Sequence, residues 1–201
     1  MDARDQNARK NVMKFRNKYY IMRHGQAISN IRDVVSCWPE KFKNPLTKTG
    51  IAAIKESAKK LDDKNINLIF ASPLLRTKQT AEIVGKRLKI KVKLDKRLRE
   101  IDFGVFNSKP VDDVWNFFNG EKERIKKNMP KGEKYPEILK RMYDFIKSTD
   151  KKYKGKNILV VSHEGTLFLL EGKLKGFSLE KTIEEYPFEK RIHKGEIREI
   201  N

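Results

Sequence analysis

Four short apolar runs, rich in β-branched and aromatic side chains, recur along the chain and are separated by longer polar segments. They are Tyr19 to Met22, Leu68 to Ala71, Ile90 to Leu94 and Ile158 to Val161. Continuous apolar runs of this length and composition are typical of strands buried on both faces. The pattern therefore predicts four buried strands.

Segments of helical periodicity lie between these strands. The apolar positions are Ile51, Ile54, Ala58 and Leu61 after the first strand, and Ala81, Ile83, Val84 and Leu88 after the second. Thr47 or Thr49 can cap the first of these helices. Alternating strands and helices imply right-handed parallel crossovers. The fold class expected is therefore α/β, a three-layer α/β/α sandwich with a mostly parallel central sheet.

About sixty residues separate the third and fourth predicted strands, which is too many for one crossover. This insert holds an apolar segment at 111–118, a basic run from Lys122 to Lys134 and a second periodic segment at 138–146. We expect it to be mostly helical and to form a lid or wall over a site. The basic run is either a solvated face or a binding site for a second phosphate. Beyond the fourth strand, an apolar helix at 166–174 and an edge hairpin around Gly195 are predicted.

Residues 1–17 are polar and basic with little apolar periodicity, which predicts a flexible arm before one domain at 18–201. No apolar stretch is long enough for a membrane helix, and the start lacks the apolar core of a signal peptide. We therefore expect a cytoplasmic protein without membrane contact. The single cysteine, Cys37, excludes an internal disulfide and leaves too few thiols for a cysteine-based metal site.

The chain is strongly basic, with 46 Lys and Arg against 27 Asp and Glu, a formal charge of +19 and a mean hydropathy of -0.73. Such a charge attracts anions. It is consistent with a lysine-rich surface of no specific role, with a polyanionic substrate or with nucleic-acid binding. Nucleic acid is not favoured as a partner, because the basic residues are dispersed and no recognition motif accompanies them. No feature of the sequence indicates the oligomeric state.

A polar cluster follows each of the four predicted strands. The clusters are Arg23-His24-Gly25, Ser72-Pro73-Leu74-Leu75-Arg76, Leu98-Arg99-Glu100 and Ser162-His163-Glu164-Gly165. The carboxyl ends of parallel strands form the ligand crevice of an open sheet, so these clusters should converge. Two histidines, at least two arginines and one glutamate would then share a site. No set of metal ligands is visible in the sequence, so neither a metal nor another cofactor is expected.

These residues resemble the histidine phosphatase superfamily, the phosphoglycerate mutase-like group, over about residues 18–201. The superfamily signature, Arg-His-Gly followed by Glu or Gln and later Asn, is matched by the segment from Arg23 to Asn30. Further matching blocks are Asn44-Pro45-Leu46-Thr47 through Gly50, Ala71-Ser72-Pro73 with Arg76 and Thr77, Leu98 to Gly104, and Val161-Ser162-His163. The resemblance implies the phosphoglycerate mutase-like fold with its helical insert over the site.

The resemblance also implies roles for individual residues. His24 would attack phosphorus as a neutral imidazole, provided that a backbone carbonyl holds its other nitrogen. Glu100 would act as acid and base, with Asp102 as the alternative. The predicted catalytic residues are His24, Glu100, His163, Arg23 and Arg76. The predicted substrate-binding residues are Arg23, Gly25, Gln26, Asn30, Arg76, His163 and Glu164. Gly25 would allow close approach of the backbone to the phosphate.

Two positions depart from the superfamily pattern. Ala27 stands where many members carry a hydroxyl residue, which removes one possible hydrogen bond to phosphate. Glu164 follows His163 where Gly or Ala is commoner and places a carboxylate beside an anion site. This carboxylate could disfavour a multiply charged substrate or bind an ammonium or hydroxyl group.

The main hypothesis is a metal-independent phosphomonoesterase that acts through a phosphohistidine intermediate on a small phosphorylated metabolite. One alternative is phosphoglycerate mutase-type transfer, although mutases carry Glu-Arg-His-Tyr where this chain has Glu100-Ile101-Asp102-Phe103. That difference favours the phosphatase branch. The other alternative is a non-catalytic module that binds phosphate or a polyanion.

Overall fold

In a computed structural model, which describes residues 14–201, five strands form one sheet. The strands are β1 (Lys18–Arg23), β2 (Leu68–Ala71), β3 (Val92–Leu94), β4 (Asn157–Ser162) and β5 (Ile197–Glu199). Their order across the sheet is β3-β2-β4-β1-β5. The pairs β3-β2, β2-β4 and β4-β1 are parallel, whereas β5 runs antiparallel to β1. The mostly parallel sheet predicted from the sequence is confirmed.

Helices connect the strands in the described part of the chain. The α-helices are α1 (Ile28–Arg32), α2 (Lys48–Lys59), α3 (Leu75–Leu88), α4 (Val111–Phe117), α5 (Tyr135–Lys152), α6 (Glu164–Leu174) and α7 (Leu179–Glu185). Short 3₁₀ turns occupy Lys96–Leu98, Gly104–Phe106, Glu121–Ile125 and Phe188–Lys190. Thr47 caps α2, since its hydroxyl accepts a hydrogen bond from the backbone N–H of Gly50 at 2.9 Å. The insert between β3 and β4 is mostly helical, as predicted.

The sheet separates two apolar layers. Side chains alternate along β1, so Tyr19 and Ile21 join one buried cluster while Tyr20 and Met22 join the other. Helices α5 and α6 contribute to the first cluster, and α2 and α3 to the second. The molecule is the predicted three-layer α/β/α sandwich, and the site lies at the carboxyl edge of its sheet.

Two details of the sheet differ from the prediction. The third strand is shorter than the predicted Ile90 to Leu94 and is not fully buried, with Leu94 49% exposed. This exposure arises because β3 is an edge strand whose only neighbour is β2. The predicted hairpin around Gly195 is wrong: an irregular segment leads through that turn into β5, which pairs with β1 instead.

The start of the described chain is tied to the domain. Asp150 of α5 accepts hydrogen bonds from the backbone N–H of Arg16 and from the side-chain amide of Asn17, and the Phe15 ring packs edge-on against Tyr19. Residues 15–17 of the predicted arm therefore pack against the domain. Residues 1–13 of that arm lie outside the described residues. Within residues 14–201, no helix combines the length and the apolar character that crossing a bilayer requires.

Candidate active site

The ends of β1, β2 and β4 place His24, Ser72 and His163 side by side. Arg23 pairs with Ser162 in the register of the parallel strands β1 and β4, so the two histidines that follow lie level with each other. Their ring centroids are 5.2 Å apart. The guanidinium of Arg76, from the first turn of α3, bridges the rings: its Nε lies 3.1 Å from His24 Nε2 and its Nη2 lies 3.1 Å from His163 Nδ1.

Hydrogen bonds fix the tautomer of His24. Because a guanidinium only donates, Nε2 of the ring must accept the bond from Arg76 Nε and therefore carries a lone pair. The other nitrogen, Nδ1, lies 2.7 Å from the carbonyl oxygen of Gly25, which only accepts, so Nδ1 carries the proton. A backbone carbonyl holds this ring, as the sequence-based hypothesis required. His24 is thus a neutral imidazole with its nucleophilic nitrogen facing a cation.

The same reasoning assigns the tautomer of His163. Its Nδ1 accepts from Arg76, so its Nε2 carries the proton and donates to the Ser72 hydroxyl at 2.9 Å. Burial lowers the pKa of both histidines well below the ordinary value, and the positive charge of Arg76 lowers them further. Both rings are therefore neutral at physiological pH in this state.

Arg76 is buried, with 2% of its surface exposed, and each of its three nitrogens donates to a protein acceptor. Besides the two rings, these acceptors are the carbonyl oxygen of Ser36 at 2.9 Å and the carboxylate of Glu40 at 3.4 Å. A second oxygen of Glu40 accepts from the backbone N–H of Leu75, the first residue of α3, at 3.0 Å. Arg76 thus occupies the space between the imidazoles, with its Nε on the lone pair of His24 Nε2.

Glu100 completes the cluster from a loop after the 3₁₀ turn Lys96–Leu98, rather than directly after β3 as expected. Its carboxylate lies 3.7 Å from His163 Nδ1 and accepts from the backbone N–H of Ile101 at 3.0 Å. Burial raises the pKa of Glu100, although the charge of Arg76 partly opposes that effect. A carboxyl group with a raised pKa can act as a proton donor near neutral pH.

Arg23, the last residue of β1, and Glu164, which follows β4, pair with each other. Arg23 Nη1 is 2.9 Å from Glu164 Oε2 and also donates to the carbonyl oxygen of Ile192. The second oxygen of Glu164 lies 3.5 Å from the guanidinium of Arg191. Glu164 therefore bridges two arginines, which is a different arrangement from either predicted use of this carboxylate. The Nε atom of Arg23 is buried without a partner.

A cavity of about 240 Å³ opens beside this cluster. Arg23, Asn30, Glu100 and Glu164 line it on the side of the strand ends, and residues of α4, the turn Glu121–Ile125 and the start of α5 line the other side. The insert therefore forms a wall of the cavity, as predicted. His24, Arg76 and His163 lie behind the cavity surface, each at most 3% exposed.

Other residues of the predicted set take positions that sequence reasoning did not anticipate. Packing by itself requires a glycine at position 25, because a Cβ there would lie 2.7 Å from Cγ1 of Ile54. The Gln26 side chain accepts from the Thr47 hydroxyl and does not line the cavity. Asn30 does line it, with its carbonyl oxygen engaged by the backbone N–H of Ala27. Asp102, the alternative acid, accepts from the backbone N–H of Gly104 and is not a cavity residue.

Four residues that contact or face the cluster were absent from the predicted set. They are Ser36, Glu40, Ser72 and Gly165. Ser72 belongs to one of the polar clusters predicted to converge, because it directly follows β2, but no role was assigned to it. A Cβ on Gly165 would clash with Ile101 and approach Glu100, so this glycine makes room for the carboxyl group. Within residues 14–201, no group of three or more His, Cys, Asp or Glu is arranged to hold a metal ion.

Comparison with known proteins defines the class. The family model of the histidine phosphatase superfamily (branch 1) matches residues 19–186. The chain therefore belongs to the histidine phosphatase superfamily. A relative from Yersinia pestis, named "Probable phosphoglycerate mutase GpmB", is 30% identical over 166 residues, which cover 78% of this chain and 74% of that protein.

Solved structures extend the similarity. The α-ribazole phosphatase from Shigella flexneri superposes with a TM-score of 0.74 at 26% identity, covering 90% of this chain and 88% of that one. YhfR from Bacillus stearothermophilus superposes with a TM-score of 0.73 at 25% identity, covering 83% of each chain. The fold is thus that of the phosphoglycerate mutase-like phosphatases.

Proposed function

We propose that this protein is a phosphomonoesterase that forms a phosphohistidine on His24 and transfers the phosphoryl group to water. The observation that carries the proposal is the state of the His24 ring, whose Nδ1 proton is held by Gly25 and whose Nε2 lone pair faces the Arg76 guanidinium. An imidazole held in this tautomer is ready to attack an electrophile bound by the adjacent cation. The substrate class we propose is a small phosphorylated metabolite, with no metal ion required.

In the first step, phosphate enters between the imidazoles and takes over the donors of Arg76. His24 Nε2 attacks phosphorus and the bond from phosphorus to the ester oxygen breaks. Burial raises the pKa of Glu100 and so favours its protonated form, which gives its proton to the departing oxygen. A bound dianion favours a charged neighbour, so His163 would gain a proton and become a further donor to the phosphoryl oxygens.

In the second step, Glu100 is a carboxylate and takes a proton from an incoming water. The resulting hydroxide attacks phosphorus, and the bond from phosphorus to His24 Nε2 breaks. Inorganic phosphate leaves and Glu100 is protonated again. One carboxyl group thus serves both steps, because its two protonation states are used in turn.

Mutase-type transfer is the second candidate, favoured by the relative named "Probable phosphoglycerate mutase GpmB". It would use the same phosphohistidine but return the phosphoryl group to a bound hydroxyl acid instead of water. The segment Glu100-Ile101-Asp102-Phe103 argues against mutase-type transfer, because similar mutases of the superfamily carry Glu-Arg-His-Tyr at these four positions. Supplying glycerate phosphates and following release of free phosphate against positional isomerisation separates the two functions.

The direct test is hydrolysis of an aryl phosphate in the presence of a chelator, together with labelling from a ³²P-ester. We expect phosphate release and an acid-labile, base-stable protein label that chases into inorganic phosphate. A folded protein with neither turnover nor label would overturn the proposal. Such a protein would fit the non-catalytic binding module.

A further inference from the structure

Two buried arginines stand near the cavity, and only one of them is paired. Arg191 is 3% exposed, and its guanidinium meets the carboxylates of Glu121 and Glu164 and the carbonyl oxygen of Tyr186. Arg124, in the turn Glu121–Ile125 of the insert, is 4% exposed. Arg191 is therefore a buried guanidinium whose charge is neutralised by carboxylates.

Arg124 has no such neutralisation. Its guanidinium lies over three aromatic rings, 4.5 Å from the centroid of Tyr135, 5.5 Å from Trp115 and 5.6 Å from Phe118. No carboxylate lies within ion-pair distance among the described residues, and its Nη2 atom is buried without a hydrogen-bond partner. Ring contacts stabilise a cation, but they satisfy none of its N–H donors. A buried guanidinium with unused donors is the arrangement expected of a residue whose partner is a ligand.

The position of Arg124 indicates which ligand. Arg124 lines the same cavity as Glu100 and Arg23, so a molecule that fills the cavity contacts both Glu100 and Arg124. The cavity volume of about 240 Å³ suits a small metabolite rather than a macromolecule. The apolar side chains of Val35, Val114 and Ile101 also line the cavity. This lining suits a short carbon segment.

We propose that Arg124 binds a second anionic group, a carboxylate or a phosphate, on the leaving portion of the substrate. The substrate class is then a phosphate monoester whose alcohol carries an anionic end across a short apolar stem. The planar guanidinium fork offers two parallel donors to either group. This inference rests on the proposed function, since it concerns the part of the substrate that departs from the phosphoryl group.

The test uses alkyl phosphates of two to five carbons whose far end bears a methyl, a carboxylate or a second phosphate. We expect kcat/KM of the wild type to be at least about tenfold higher for the best anionic ester than for its methyl counterpart. Arg124→Met should reduce that ratio to about one, and Arg124→Lys should keep part of it, because the charge remains while the fork is lost. A preference for carboxylate or for phosphate identifies which anion is the natural end group.

Lys126→Met is the matched control, because Lys126 is exposed in the same segment and its replacement removes the same charge. Its ratio should equal that of the wild type. Arg124→Met should melt at least as high as the wild type, since it replaces an unpaired buried cation with an apolar side chain. A large loss of folding would instead indicate a structural role and would argue against the proposal.

A binding measurement separates this inference from the proposed function. Butylphosphonate and 4-phosphonobutanoate cannot be hydrolysed, and their affinities for wild type and Arg124→Met can be compared by calorimetry. About tenfold tighter binding of the carboxylate, lost in the variant, supports anion recognition even if no ester is turned over. Equal affinities for the two phosphonates, together with equal turnover of all esters at every carbon-chain length, would overturn the inference about Arg124. The proposed phosphatase activity would be unaffected.

Discussion

The strand ends and the insert each hold a buried arginine, but the groups that surround the two guanidiniums differ. At the strand ends, Arg76 donates from each of its nitrogens to imidazole, carbonyl or carboxylate acceptors. In the insert, Arg124 is equally buried but meets only aromatic rings. The first region holds its cation in a fixed position beside the histidines, whereas the second leaves its donors free.

Under the proposed function, this difference corresponds to separate roles for the two regions, one in catalysis and one in substrate selection. Groups that carry out a reaction need defined orientation and protonation, which the hydrogen bonds around His24 and His163 supply. A group that selects a substrate needs unsatisfied donors in a shaped cavity, which the aromatic setting of Arg124 supplies without competing acceptors. The sheet edge is thus suited to the chemistry, and the insert to the choice of substrate.

The largest effect is expected when the proposed nucleophile at the strand ends is removed. We expect His24→Ala to lower kcat/KM on every ester by about 10⁴-fold or more and to abolish the phosphoprotein label, because no other group can form the intermediate. His193→Ala is the matched control, since His193 is exposed and should leave both readouts unchanged. A label that persists in His24→Ala would place the phosphoryl group on another residue.

The strand-end part of the site could be predicted because backbone pairing determines it. His24 and His163 each follow a buried strand, and the register of β1 with β4 aligns the two ends. Arg76 follows β2 by one short turn and enters the same edge through the start of α3. Apolar periodicity alone therefore located three of the clustered residues, and the three-layer fold with them.

Other contacts could not be predicted because they join segments far apart in the sequence without any periodic signal. Glu40 lies in an irregular loop, yet reaches Arg76 and the N-terminus of α3. The predicted basic run contained Arg124, but charge alone could not distinguish this buried residue from the exposed lysines around it. The close approach of Ile54 to Gly25 could not be predicted either, because no sequence pattern joins the two segments. Tertiary packing decides such features.

The next largest effect is expected at the acid. Glu100→Gln should slow alkyl esters by about 10²- to 10⁴-fold and aryl esters far less, because a phenolate departs without a proton. For alkyl esters, the wild-type rate should fall as pH rises through the raised pKa of Glu100, since the acid form is then lost. This alkaline limb should vanish in the variant.

Asp102→Asn serves as the comparison for the acid, because Asp102 accepts from Gly104 and does not line the cavity. Its effect should be equal on alkyl and aryl esters. If Asp102→Asn, and not Glu100→Gln, slowed alkyl esters more than aryl esters, Asp102 would be the acid.

Stability should also distinguish Arg124 of the insert from Arg191, the other buried arginine that lines the cavity. Arg191→Met leaves the carboxylates of Glu121 and Glu164 without their buried partner, so we expect a loss of about 3 kcal/mol in the free energy of unfolding. Arg124→Met leaves no carboxylate without its partner, so we expect no such loss in the free energy of unfolding. Denaturant titration of both variants measures the difference directly. Equal destabilisation would mean that Arg124 has a structural role like that of Arg191.

The smallest effect is expected at Glu40, which holds Arg76 and the first N–H of α3 in the place where an anion would bind. A phosphate that takes the donors of Arg76 meets this carboxylate, so Glu40→Gln should lower the inhibition constant of inorganic phosphate by about three- to tenfold. Gln keeps an oxygen for the Leu75 N–H. Glu56→Gln, an exposed change of the same charge on α2, should have no effect. Weaker phosphate inhibition in Glu40→Gln would show that the carboxylate orients Arg76 for phosphate instead of competing with it.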